Sequence, residues 1–214
     1  MMNVKNFFRL PIKNESLWIK SICSALIISI LLSFLPFAAS CEELSDNVFR
    51  LHVLANSDSE EDQAVKLLVR DSVLLETQKW YQGADSFEET NFAICTNLQS
   101  IQAAAQTALL ANGSDDKVVV KVTEKYFTTR DYENFSLPAG KYRTLQVEIG
   151  EAKGKNWWCM VYPALCIPAA QKSNEKNLDE MPENEKEIIT NPDSFQVKFK
   201  IVEWFEGLKS MLDS

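Results

Sequence analysis

The sequence predicts an α+β fold of two layers, a mostly antiparallel sheet of about four strands with two main helices, behind an N-terminal signal segment. Three observations predict it. A basic stretch and an apolar run open the chain, two stretches of the first half carry helical periodicity, and four stretches alternate as strands do. Three of those strands follow one another in the second half with short turns between them, the pattern of an antiparallel meander.

At the N-terminus, Lys5, Arg9, Lys13 and Lys20 precede an apolar run of 16 residues, 22–37, followed by Ala38-Ala39-Ser40. Small residues there are what a signal peptidase reads, and a membrane span needs about 20 residues. Residues 1–40 therefore read as a signal peptide, with an uncleaved anchor as the alternative. Cys41 directly after small residues resembles a lipoprotein cleavage box, with Ala38 where that box usually has Leu. It is a candidate lipidation site. Removing residues 1–40 leaves 18 basic and 29 acidic residues, a net charge of −11 against −8 for the whole chain. So acidic a domain has no face for nucleic acid and is poorly matched to anionic lipid, leaving the signal segment or a lipid on Cys41 as the contact with a membrane.

The first strand spans residues 48–55, with Phe49, Leu51 and Val53 on one face and Arg50 and His52 on the other. Asn56-Ser57-Asp58-Ser59 breaks it. Ser57 with Glu60 three residues on reads as a capping box, and Asp58, Glu60, Glu61 and Asp62 suit the positive end of a helix dipole. In the helix, Ala64, Val65, Leu68, Val69, Ser72 and Leu75 share the expected core face, and Lys66 and Arg70 point away. A second helix is expected over residues 85–113, with Ile94, Leu98, Ile101, Ala105 and Ala108 inward and Asn112-Gly113 as its stop. The later strands are centred on Val118–Thr123, Leu145–Ile149 and Trp157–Tyr162. Neighbours in a strand face opposite ways, so one of Trp157 and Trp158 packs under the helices and the other joins His52.

The domain is expected to end near residue 170, running over 42–170. Residues 171–194 read as a polar linker and 195–214 as an amphipathic strand/helix segment, with Phe195, Val197, Phe199 and Ile201 alternating before Trp204, Phe205, Leu208, Met211 and Leu212 share a helical face. Glu203 and Glu206 argue against a membrane surface for that helix. Cys159 and Cys166 are candidates for a disulfide worth about 2.5 kcal/mol in chain entropy, against two buried thiols. No metal site or cofactor is expected, because there is one histidine and no Cys-x-x-Cys pair. A hydrolase with His52 as base for Cys159 or Ser57 and Asp58 as orienter is the enzymatic alternative, without any nucleophile signature to support it. A passive envelope lipoprotein is another.

The segments RLHVLANSDSEEDQAVKLLVRD (Arg50 to Asp71), YFTTR (Tyr126 to Arg130), LPAGKYRTLQVEIG (Leu137 to Gly150) and KNWWCMVYPALC (Lys155 to Cys166), in that order behind a signal segment, resemble the stage II sporulation protein R family. The series covers most of residues 48–168. It departs from the family's pattern in one loop, with Thr128 in place of a Pro and Glu133 in place of a Gly. The resemblance implies a non-enzymatic signalling protein of endospore-forming bacteria, made in the forespore and exported to the space between its two membranes. There it would activate a membrane-embedded aspartic protease that processes an inactive sigma-factor precursor. On that reading the protease-contacting residues are expected among His52, Asn56, Ser57, Asp58, Arg130, Trp157 and Trp158, with Asp62, Arg70 and Asp71 shaping the corner.

Overall fold

The computed structural model describes residues 15–81, 84, 86–132, 135–163, 182–191 and 194–212. The chain forms two compact units, Met1–Ala39 and Ser40–Ser214. Helix α1, Glu15–Asp46, carries the apolar run and continues through Ala38-Ala39-Ser40-Cys41 into the second unit. Among the described residues one helix, Leu17–Asp46, is long and apolar enough to cross a membrane, and a signal sequence has the same character.

The second unit is α+β, with a mixed four-stranded sheet. Its elements are β1 (Phe49–Leu54), α2 (Glu60–Tyr81), α3 (Phe87–Thr96), α4 (Leu98–Ala111), β2 (Val118–Phe127), the short pair β3 (Arg130–Asp131) and β4 (Ser136–Leu137), β5 (Gly140–Ile149), β6 (Asn156–Tyr162), α5 (Glu183–Thr190) and α6 (Gln196–Leu212). The sheet order is β2-β5-β1-β6. The expected meander is corrected here: β5 and β6 are not neighbours, because β1 lies between them, parallel to β5 and antiparallel to β6. The β2–β5 pairing is antiparallel as expected. A central strand is covered on both faces, and β1 is buried along nearly its whole length, Arg50 and His52 included.

One sheet face packs on α2, α3 and α4. Its core joins Phe49, Leu51 and Val53 of β1 to Leu145 and Val147 of β5, Cys159 and Val161 of β6, and Val69, Val73, Ile94, Ile101, Ala105 and Leu109 of the helices. The inward face of α2 is rotated from the expected one. Val69, Val73 and Thr77 are buried while Leu68 and Leu75 are exposed. Lys66, expected outside, is buried because its ammonium is taken up by Gln63 Oε1 at 2.6 Å and the Lys155 carbonyl at 3.1 Å. The single helix expected over residues 85–113 is two, broken at Asn97, whose side chain donates to the Ala93 carbonyl at 2.8 Å. Gln106 and Gln102 of α4 accept from the backbone N–H groups of Val118 and Val120, so polar side chains close the outer edge of β2.

Beyond β6 two further expectations change. The stretch expected as polar linker, 171–194, contains α5, whose Glu185, Ile188 and Ile189 are buried. Residues 195–201 do not form a strand: α6 is helical from Gln196.

Candidate functional site

The corner between β1 and α2 is built by short polar side chains that bond to one another and to the β5–β6 turn. Helix α2 begins two residues later than Ser57 would place it: Ser59 Oγ accepts from Asp62 N at 3.1 Å and is the cap. Ser57 instead donates to Asp62 Oδ2 at 2.5 Å, joined there by Asn56 Nδ2 at 3.1 Å. These bonds, Ser57's foremost, hold the Asp62 carboxyl below the usual carboxylate range. Across the corner, Asn56 Oδ1 accepts from Glu151 N at 2.9 Å and Asp58 Oδ1 from Lys155 N at 2.6 Å. The approach is close enough that a Cβ on Gly154 would overlap the Ser57 carbonyl, and one on Gly150, at φ +55°, the Asn56 amide. Asn56, Ser57, Asp58 and Asp62 thus fix the β5–β6 turn against the start of α2, and that turn leads directly into Trp157 and Trp158.

The two tryptophans lie on opposite faces. Trp158 pairs with His52 across β1 and β6 and stacks on it, ring centroids 3.8 Å apart and planes within 6°. Arg130 of β3 lies over the Trp158 ring at 5.4 Å and Lys125 at 5.9 Å. His52 is buried between Asn156 Oδ1, 3.0 Å from Nε2, and Lys125 Nζ, 3.3 Å from Nδ1. An ammonium can only donate, so Nδ1 is the acceptor and Nε2–H donates to Asn156. Burial, with Lys125 and Arg50 adding to it against the Asn156 bond, lowers the His52 pKa to about 4. This imidazole is neutral at physiological pH. Below it on the same strand face, Arg50 is fully buried, its guanidinium carbon 4.0 Å from the Phe127 ring centroid and 4.9 Å from that of Tyr142. Nη2 donates to Tyr132 Oη at 3.0 Å, while Nε and Nη1 have no hydrogen-bond partner among the described residues.

Trp157 is on the helix side, 37% exposed, with the Arg70 guanidinium 4.3 Å above its ring. Asp71 holds Arg70 there through an ion pair of 2.7 Å. The seven expected contact residues therefore divide. Trp157 and Asp58 are exposed, with Arg130 exposed on the opposite face; Trp158, Asn56 and Ser57 are half-buried; His52 is inside.

The hydrolase arrangement is not assembled. Cys159 faces the helix-side core, opposite in direction to His52, and is disulfide-bonded. Cys166, its expected partner, lies outside the described residues. Ser57 and Asp58 are bonded to Asp62 and Lys155 rather than to His52. Among the described residues no group of three or more His, Cys, Asp or Glu side chains is placed to hold a metal ion. Cys41 is buried within α1, with Lys198 and Glu206 of α6 in electrostatic reach of its thiol.

A family model described as Stage II sporulation protein R matches residues 45–172. The chain is also 32% identical over 187 residues to Stage II sporulation protein R of Bacillus subtilis (strain 168), covering 78% of this chain and 84% of that one. The chain belongs to the stage II sporulation protein R family. It is accordingly a sporulation-related protein, and its apolar first helix fits a signal or membrane-associated segment. No solved structure matches it. The family match takes in the corner, the stacked pair and both tryptophans, and ends before α5 and α6. Sequence reasoning missed the second-face partners of His52 (Lys125, Phe127 and Asn156) and of Arg50 (Phe127, Tyr132 and Tyr142). Arg50 and His52 two apart on one strand were the available signal, since a polar face on a strand covered on both sides must be bonded internally.

Proposed function

We propose that this family member is the exported signal that activates a membrane-embedded aspartic protease, by binding that favours the protease's active arrangement, so that an inactive sigma-factor precursor is cleaved. Family membership carries the reading. The surface supports it: on either side of β6 a tryptophan lies under an arginine, Trp157 under Arg70 and Trp158 under Arg130, and Trp and Arg are the side chains that most often anchor protein–protein contacts. The contact is centred on Trp157, Arg70 and Asp58 with Arg130 and Trp158 behind. His52 and the Asn56–Ser57–Asp62 bonds hold those groups in place and do not themselves touch the protease.

The test supplies the unit from Ser40 onward, from outside, to vesicles displaying the protease with its precursor substrate on the inner side. Cleavage only when the unit is present supports the reading. Failure to cleave, with a folded unit and a protease competent under forced dimerisation, overturns it. Trp157→Ala is expected to abolish cleavage while the unit stays folded, with circular dichroism as the check.

A further inference from the structure

Helix α6 is apolar on two opposite faces. Phe199 and Val202 are buried against the unit, whereas Val197 (74% exposed), Ile201 and Trp204 (70% exposed) stand in solvent. At about 100° per residue, Val197, Ile201 and Trp204 fall within a sector of about 60°. Lys200 borders that sector on one side and Lys198 on the other. Glu203 and Glu206 fall on the far half of the helix, toward the unit, and so do not oppose an anionic surface as the bare sequence implies. Glu203 also offers its backbone carbonyl to Tyr126 Oη at 3.3 Å and its carboxylate to Lys200 at 3.1 Å.

We propose that this outward face of α6 lies in the headgroup region of a lipid bilayer. An apolar stripe with a Trp, bordered by lysines and with its acids turned away, is the make-up of a helix that beds in the membrane interface. The unit's acidic charge makes a lipid surface an unexpected neighbour for most of its faces, whereas the outward sector of α6 is bordered by Lys198 and Lys200 and holds neither Glu203 nor Glu206. This inference is independent of the protease reading.

The full chain, reconstituted in vesicles of phosphatidylcholine with a minority of phosphatidylglycerol, tests it. Subtracting the emission of Trp204→Phe from that of the wild type isolates Trp204 from the other tryptophans, including Trp18 in α1. The difference emission is expected at short wavelength, and quenched when the lipids carry bromine near the headgroup. A difference spectrum of water-exposed Trp, insensitive to brominated lipid, overturns the proposal. So does efficient cross-linking of an Ile201→Cys variant to a second copy of itself, which would make the occupant another chain. Because Trp204 is exposed, the Phe variant is expected to keep the wild-type circular dichroism and so to report on contact rather than folding.

Discussion

At the scale of single residues, His52 and Arg50 show how a polar side chain in a doubly covered strand acquires unusual properties. The folded His52 pKa lies near 4 and the unfolded one near 6.5, so the unfolded chain binds the proton more tightly. The stability this contributes is fully present above pH 6.5, declines as pH falls, and is gone below about 4, a total of about 3 kcal/mol. Glu185 acts in the opposite direction, since burial raises its pKa. A comparison of wild type with His52→Gln cancels that contribution: urea unfolding at pH 7 and at pH 4.5 is expected to show a smaller pH dependence in the variant. Arg50 is a different case. Its Nε and Nη1, unpaired among the described residues, offset its contacts with Phe127, Tyr142 and Tyr132, so Arg50→Met is expected to change stability by less than about 1.5 kcal/mol, whereas Arg50→Ala, which leaves a cavity, costs about 3 kcal/mol. Equilibrium denaturation of both variants checks this.

At the scale of elements, the strands and α2 could be read from the sequence because alternation and polar punctuation are local. The sheet order could not, since inserting β1 between β5 and β6 depends on contacts 94 to 113 residues apart in sequence, which no local pattern encodes. The misreading of α6 has a particular cause. Phe199 faces inward and Val197 and Ile201 outward, so a helix with two apolar faces reproduces the alternation of a strand. Among the candidate residues, the opposite facing of the two tryptophans followed from strand geometry alone, and which of them stayed exposed did not. The corner's function as a brace was hidden too, because Asp58 and Asn56 find their partners in a distant turn. That brace leads to a prediction about an element rather than a residue. Gly154→Ala forces Ser57 and the β5–β6 turn apart, and is expected to lower stability by about 2 kcal/mol or more. Trp157 emission should shift as the turn that positions it relaxes.

At the scale of the whole molecule, the second unit starts at Ser40, before the expected domain start at 42 and well before β1. Leu44 is fully buried and Asn47 donates to the buried Glu185 at 3.1 Å, so the last turns of α1 belong to the folded body. A chain beginning at Ser40 is therefore expected to melt cooperatively, and one beginning at Val48 to lose about 3 kcal/mol or more from the missing Leu44 alone, which calorimetry on the two would compare.

The continuity of α1 through residues 38–41 also sets an order of events. A peptidase that cuts after small residues needs its substrate drawn out in its cleft. Here the bond preceding Cys41 is wound into a helix whose next turns are buried. If the chain is exported as proposed, processing and folding would compete for the same few residues, and whichever finished first would decide the outcome. Under the proposed function, delayed folding would yield a shortened chain freed of the apolar run, and prompt folding one that keeps it. A pulse-chase of Leu44→Ala, which weakens the packing of that stretch into the body, should accumulate more of the shortened form than the wild type does.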